Sequence, residues 1–231
     1  MIRPIKLRRK RILVDVDTQN DLLIASGANC IKNHRRVLMN IRRAYAWARS
    51  KNIKCISTVL CKPRNHSAGF CISGTTGQKK VSYTLRKNRI LFEADNSTDL
   101  SRDLLTRYEQ IILSKRVEDP FDEPRAERLL TELRADEFVV IGVPAETSVS
   151  ATVLGLLQRG KRVVVLTDAV GVYDRKVADI MFRKWLAKGA ILMETKDLAG
   201  ATHLKTAGIC SCKICRLAEK EKEQLQTQAS A

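Results

Sequence analysis

The chain alternates short apolar runs with amphipathic stretches over most of its length. Polar residues bound each of the apolar runs, which cover residues 11–16, 54–60, 110–114, 138–143, 162–167 and 190–194. Continuous apolar runs of this length are typical of parallel strands that are buried on both faces. The pattern therefore predicts six β-strands.

Helical periodicity fills most of the intervals between these runs. Three segments place apolar residues on one helix face: Val37, Leu38, Ile41, Tyr45 and Ala48; Ala126, Leu129, Leu130 and Leu133; and Val177, Ile180, Met181 and Trp185. Alternating strands and helices predict an α/β class, a three-layer α/β/α, Rossmann-like fold with a six-stranded parallel sheet. Ligands of such folds bind beyond the carboxyl ends of the strands.

Length and composition favour one compact domain. With 231 residues, of which 44% are hydrophobic, the chain can bury a core of its own. We divide it into a basic leader (1–10), a folded domain (11–200) and a cysteine-rich, charged tail (201–231). No apolar run approaches the roughly 20 residues that a bilayer span requires. No secretory signal pattern is evident and the seven cysteines are an odd number, so we expect a cytoplasmic protein without membrane contact.

Basic residues are in large excess. Lysine and arginine number 42 against 25 acidic residues, a net charge of +17, and the excess gathers in residues 3–11, 32–51 and 79–89. Such a balance favours contact with polyanions. Two interpretations stay open, because a basic surface also keeps a protein soluble and no nucleic-acid-binding module is evident. Non-specific polyanion contact at low salt is expected in either case.

Three polar residues follow predicted strands. Asp17 comes directly after the first, Lys115 after the third, and Ser148 shortly after the fourth. Because parallel strands end at one edge of a sheet, we expect these side chains to meet. A carboxylate, an amine and a hydroxyl in one crevice predict a binding or catalytic site.

The segments that carry these residues resemble the isochorismatase-like cysteine hydrolases. The motif Asp-x-Gln-Asn-Asp begins at Asp17, and the segment 142–152 contains Ser148 where that family has its catalytic cysteine. The resemblance covers about residues 10–195. It implies Asp17 as general base, Lys115 as the residue that stabilises charge and orients the nucleophile, and Ser148 as the attacking group. It further implies a small amide or enol-ether substrate and a homo-oligomer.

Two departures from the family weaken the implied chemistry. A serine hydroxyl, unlike a thiol with a pKa of about 8.5, needs a base within about 3 Å as it attacks. The family's oxyanion hole uses the N–H groups of the nucleophile and of the residue four positions earlier, after a cis peptide; here that bond joins Val143 and Pro144. Proline eases the cis bond but has no N–H. We therefore expect hydrolysis to be weak or lost, with a non-catalytic ligand-binding protein as the alternative and a purely structural Asp17–Lys115 ion pair as another.

The irregular stretch 61–80 is expected to form a loop over the pocket. Its segment Cys71–Gly77 resembles the Gly-Thr-x-Gly lid of the nicotinamidase branch, in which an Asp-x-His sequence and further histidines hold a metal. This chain retains only Cys61, His66 and Phe70 as pocket-loop candidates, so we expect no pocket metal and no required cofactor.

The tail contains a separate group of soft ligands. His203, Cys210, Cys212 and Cys215 could hold a structural zinc in a tetrahedral site. Cysteine is equally common as a small buried residue. Both interpretations stay open.

Overall fold

The computed structural model describes residues 10–67 and 69–199. The strands run in chain order as β1 (Arg11–Val16), β2 (Lys54–Leu60), β3 (Arg89–Phe92), β4 (Gln110–Lys115), β5 (Glu137–Gly142), β6 (Val163–Val170) and β7 (Ile191–Met193). They form one sheet in the order β3-β4-β2-β1-β5-β6-β7, and every pair is parallel. Most of the basic leader and the proposed zinc ligands of the tail lie outside the described residues.

Helices cover both faces of this sheet. They are α1 (Asn20–Leu23), α2 (His34–Ser50), α3 (Leu104–Arg107), α4 (Pro124–Glu132), α5 (Ser150–Gln158), α6 (Arg175–Ala187) and α7 (Thr195–Ala199). Helix α2 packs in one apolar cluster with the sheet, while α4, α5 and α6 pack in a second cluster on the opposite face. The predicted three-layer α/β/α fold is therefore confirmed. Within the described part of the chain, no helix is long and apolar enough to cross a membrane.

The sheet has one strand more than the hydrophobic pattern predicts. All six predicted strands are present, and the seventh, β3, pairs with β4 at the edge of the sheet. Its four residues alternate between exposed and partly buried positions. An edge strand needs no continuous apolar run, so the criterion that identified the central strands missed it.

Helix α6 presents a different face to the core than its periodicity predicts. Val177 and Ile180 are exposed, while Ala178 and Trp185 are buried. The indole Nε1 of Trp185 donates a hydrogen bond to Ser150 Oγ at 3.2 Å. Burial of this large side chain against α5 sets the rotation of α6, because a buried indole N–H requires an acceptor.

Candidate active site

The three strand-end residues meet at the carboxyl edge of the sheet. Asp17 follows β1, Lys115 ends β4, and Ser148 lies in the π-helical turn Ala145–Val149 that follows β5. Lys115 Nζ lies 2.8 Å from Asp17 Oδ2 and 3.1 Å from Ser148 Oγ. All three side chains are buried. The topology thus brings together the residues that the sequence singled out.

A left-handed backbone at Asp17 turns its carboxylate towards this crevice. In a regular strand the side chains of residues 15 and 17 would point to the same face. Asp15 faces α2. Its carboxylate accepts hydrogen bonds from Tyr45 of α2 and from Ser57 of β2. Asp17 has a φ of 49°, and its Oδ1 accepts a hydrogen bond of 2.6 Å from Thr58, the neighbour of Ser57 on β2. The backbone turn therefore separates two aspartates that alternation alone would place together.

The ammonium of Lys115 is surrounded by oxygen atoms. It donates hydrogen bonds to Glu118 O at 2.8 Å, to Ser148 Oγ at 3.1 Å and to Val117 O at 3.2 Å, in addition to its ion pair with Asp17. Four oxygen atoms, one of them on a carboxylate, therefore lie within 3.2 Å of this nitrogen.

The backbone before Ser148 lacks an N–H group at position 144, where the residue is a proline. The Val143–Pro144 peptide is cis, and Pro144 has no N–H to donate. The next N–H along the chain, that of Ala145, donates to Gly171 O at 2.8 Å. It is therefore already engaged and does not take the place of the missing donor.

The remaining polar residues of the Asp17 motif attach the loop 61–80 to the sheet. Gln19 donates from Nε2 to Leu60 O and to Gln78 O, at 2.8 and 2.7 Å, and Asn20 Nδ2 donates to Thr76 O at 2.9 Å. This loop contains no helix or strand among its described residues. The sequence motif was visible, but its role in holding a loop 40–60 residues away depends on contacts that spacing does not reveal.

Asp21 completes this attachment. Its Oδ2 accepts a hydrogen bond of 2.7 Å from the backbone N–H of Cys71. Gly77 packs so closely against Asp21 that a Cβ there would come within 2.1 Å of the carboxylate. A glycine at this position lets the loop approach the aspartate.

The predicted pocket-loop residues differ in their placement. Cys61 is half-buried and its N–H donates to Lys115 O at 2.8 Å, so it lies beside the site. Phe70 is half-buried beneath the ammonium of Lys62. His66 is exposed on the surface.

A buried thiol that the sequence did not single out lies close to Asp17. Cys71 is fully buried, and burial, together with the nearby carboxylates of Asp17 and Asp21, raises the pKa of its thiol. A raised pKa keeps the group as a thiol at neutral pH. Cys71 therefore lacks the thiolate form that nucleophilic attack requires at neutral pH.

The residues after β2 do not fit the metal that the nicotinamidase branch holds there. Leu60 and Lys62 are buried at this point, and a lysine ammonium repels a cation. No group of three or more histidine, cysteine, aspartate or glutamate side chains is placed to hold a metal ion within residues 10–67 and 69–199.

Comparison with known proteins agrees with this architecture. Residues 11–197 match the model of the isochorismatase domain. No curated protein matches the chain in sequence.

Solved structures share the fold at low identity. The zinc complex of the pyrazinamidase of Pyrococcus horikoshii has a TM-score of 0.63 at 20% identity, covering 80% of this chain and 99% of that one. An isochorismatase family protein from Desulfovibrio vulgaris subsp. vulgaris str. Hildenborough has a TM-score of 0.65 at 19% identity, covering 83% and 97%. The MAR1 ribonuclease of Caenorhabditis elegans has a TM-score of 0.59 at 20% identity, covering 88% and 91%. Because the family model spans most of its length, the chain belongs to the isochorismatase family of hydrolase-fold proteins.

Proposed function

We propose that the crevice binds a small amide or enol ether and hydrolyses it weakly or not at all. The observation that carries this proposal is the direction of the hydrogen bond at Ser148. Its hydroxyl oxygen accepts from the Lys115 ammonium at 3.1 Å, while the Asp17 carboxylate is held by Lys115 and Thr58. Among the described residues, no side-chain base accepts a hydrogen bond from Ser148 Oγ.

This arrangement suits binding better than attack. A serine must lose its proton as it attacks, to a base within about 3 Å. A carboxylate beside a cation is a weak base, because the cation favours its charged form. The protons of this ammonium already have acceptors, but its positive charge in the buried crevice still favours a ligand with a carbonyl oxygen or a negative charge.

The second support is the missing donor at Pro144. A tetrahedral intermediate formed at Ser148 would lack one of two backbone N–H groups, and loss of one such donor costs about 2.7–4 kcal/mol of transition-state stabilisation. Ala145 does not replace it, since its N–H is bonded to Gly171 O. The two defects act on different parts of the reaction and combine.

A panel of small amides tests the proposal. The protein is incubated with each amide and ammonia release is measured beside the Ser148→Ala variant. We expect release close to background, and any turnover above it to disappear in Ser148→Ala. Turnover as fast as that of a cysteine hydrolase would contradict the proposal, and turnover that survives Ser148→Ala would assign the chemistry to another group such as Cys61.

A second candidate function is polyanion binding through α2. Its solvent-facing side carries exposed basic residues, among them Arg35, Arg36 and Arg42, in a chain of net charge +17. One solved structure of the same fold is named as a ribonuclease, which favours testing single-stranded RNA as the probe. We propose that this face contacts phosphates without reading sequence.

Salt dependence tests this second candidate. Replacing the three arginines by glutamine should weaken RNA binding about tenfold or more and reduce the salt slope by about 2–3, because each phosphate contact releases counterions. The control replaces exposed Lys176, Arg183 and Lys184 of α6 with glutamine, at the same change in charge. Equal weakening by both triples, or salt-independent binding, would contradict a specific role for α2.

We further propose that the protein is a cytoplasmic homo-oligomer. Two observations support this: Val177 and Ile180 expose apolar surface on α6, and the four cysteines of the described residues are free thiols. Light scattering coupled to size-exclusion chromatography measures the assembly. A monomer at micromolar concentration would contradict it.

A further inference from the structure

A second lysine is buried beside the candidate site. Lys62 lies two residues beyond the end of β2, and its side chain is only 7% exposed. Its backbone makes two hydrogen bonds within the loop 61–80. Its N–H donates to Cys71 O at 2.9 Å, and Ser73 N donates to Lys62 O at 2.8 Å. The backbone of Lys62 is therefore held in place by the loop.

The charge of Lys62 has little compensation. Its Nζ lies 3.9 Å from Glu118 Oε1 and 3.9 Å from the centre of the Phe70 ring. Glu118 is the only carboxylate within 4 Å among the described residues, and its side chain is 47% exposed. A separation of 3.9 Å is too long for a hydrogen bond, and a half-exposed ion pair is worth little. Lys115, by contrast, has four oxygen atoms within 3.2 Å of its Nζ.

Lys62 and Lys115 have two neighbours in common, Glu118 and Cys71. Glu118 joins the two, because its backbone oxygen accepts from Lys115 while its carboxylate is the neighbour of Lys62. Both ammonium groups also oppose the rise in the pKa of the Cys71 thiol that burial and the carboxylates cause. The two cations therefore act on one small volume between the loop 61–80 and the loop after β4.

We propose that Lys62 binds a carboxylate on the ligand, so that the site selects small amides or enol ethers that carry a negative charge away from the reacting bond. This inference rests on the proposed function, because it names the class of ligand that the crevice takes. A buried cation whose one carboxylate neighbour among the described residues is 3.9 Å away and half-exposed is poorly compensated, and an anionic group on a ligand would improve that compensation.

A carboxylate fits this position better than a phosphate does. Lys62 is a single point charge with three donors, and a monoanion balances it. Phosphate recognition uses several donors or a bidentate arginine. The other nearby ammonium, Lys115, is already occupied by Asp17 and its three hydrogen bonds.

Matched ligand pairs test the assignment through binding, without turnover. Calorimetry compares succinamate with succinamide, malonamate with malonamide, and isophthalamate with isophthalamide; within each pair one carboxylate is replaced by an amide of nearly equal size. We expect the best-fitting carboxylate to bind roughly tenfold to a hundredfold tighter than its diamide, which is the range for a hydrogen bond to a charged group. Lys62→Met should remove that preference and leave diamide binding nearly unchanged.

Two control variants separate this role from a structural one. Lys79→Met removes an exposed lysine of the same loop and should leave the preference intact, while Lys62→Arg should retain most of it. Glu118→Gln tests the rim pair, and we expect it to preserve or increase carboxylate affinity. Thermal unfolding of each variant establishes that it is folded.

The outcomes distinguish this inference from the proposed function. Equal binding of both members of every pair, or a preference that persists in Lys62→Met, would overturn the role of Lys62 while leaving the pocket as a binder of small amides. Absence of binding by any compound would overturn both. A preference that depends on Lys62 in a protein that releases no ammonia would support the inference and a purely binding role together.

Discussion

Two buried lysine–aspartate pairs lie close together in the described part of the chain and differ in their surroundings. Lys115 pairs with Asp17 and Lys80 pairs with Asp15, both at 2.8 Å and both almost fully buried. Lys115 donates three further hydrogen bonds, whereas Lys80 donates one, to Thr18 Oγ1 at 2.7 Å. The two aspartates are two residues apart in the sequence, yet the charges of their lysine partners are compensated very differently.

This difference indicates which pair is structural. The Asp15 carboxylate is enclosed by Tyr45, Ser57 and Lys80, and it is the main compensation for the Lys80 charge. The Lys115 charge is compensated by backbone and hydroxyl oxygens even without Asp17, so Asp17 has more freedom to serve a ligand. We therefore propose that the Asp15 pair serves chiefly stability and the Asp17 pair ligand chemistry.

The largest expected effect is on folding stability. Asp15→Asn should lower the free energy of unfolding by about 3–5 kcal/mol, because it leaves a buried ammonium with one hydrogen bond. Asp17→Asn, which makes the same change in charge two residues later, should cost about 1–3 kcal/mol, since Lys115 keeps its three acceptors. Urea unfolding measures both. An equal or larger loss for Asp17→Asn would mean that the site pair holds the strand ends together.

The next effect concerns catalysis. Adding Pro144→Ala to Ser148→Cys should raise amide hydrolysis about 10²–10³-fold over Ser148→Cys alone, because it returns an oxyanion donor. In that double variant, Asp17→Asn should abolish the gained activity, and Asp15→Asn should preserve it at a temperature where the protein is folded. Ammonia release measures each step. No gain in the double variant would mean that other differences in the pocket limit the reaction.

The central strands and the meeting of three polar residues could be predicted from the sequence for a simple physical reason. Strands buried on both faces are mostly apolar, and parallel strands end at one edge, so Lys115 at the end of β4 and Asp17 after β1 could be placed at the same edge of the sheet. Strand β3 was not predicted because an edge strand carries a weaker hydrophobic pattern. The exposure of Val177 and Ile180 on α6 was not predicted, because the packing of Trp185 rather than the hydrophobic periodicity sets the rotation of the helix.

The finer features of the site depend on contacts that the sequence does not encode locally. The positive φ of Asp17 occurs at a residue other than glycine, so nothing in the sequence signals it, yet it directs the carboxylate into the crevice. Thr58, Lys62 and Cys71 were not identified as site residues for a related reason. Each reaches the site from a different strand or loop, and only the folded chain shows which of its polar residues are neighbours.

A smaller effect distinguishes the two regions by pH. Burial, and secondarily the Asp15 charge, raises the pKa of the Cys55 thiol to about 11. The unfolded thiol ionises near pH 8.5 while the folded one keeps its proton, so stability is full below about pH 8.5 and falls as the pH rises towards 11. We expect Cys55→Ser, which can keep the hydrogen bonds of the thiol but does not titrate, to lose about 3 kcal/mol less stability than the wild type between pH 8.5 and 11.

Urea unfolding at several pH values between 8 and 11 checks the effect. Cys30→Ser provides the control, since Cys30 is only half-buried, and it should alter the decline much less. A decline in Cys55→Ser as steep as in the wild type would assign the alkaline sensitivity to other groups, such as the buried Tyr45 phenol, whose pKa burial also raises.

The smallest effect compares two adjacent residues of β2 that serve one aspartate each. Ser57 donates to Asp15 Oδ2 at 3.1 Å and Thr58 to Asp17 Oδ1 at 2.6 Å. Ser57→Ala and Thr58→Val should each lower the free energy of unfolding by about 1.5 kcal/mol, the lower end of the range for a hydrogen bond to a charged group, because each carboxylate keeps its lysine partner. Stability alone will therefore not separate them.

Activity will separate them if the two aspartates have the roles assigned here. In the Pro144→Ala, Ser148→Cys background, Thr58→Val should reduce hydrolysis several-fold, because Asp17 loses the bond that orients it, whereas Ser57→Ala should leave the rate within about twofold. Ammonia release at a temperature well below unfolding measures both rates. Equal losses would mean that the Asp15 cluster also positions the site, since Ser57 and Thr58 share a strand and differ only in the face to which they point.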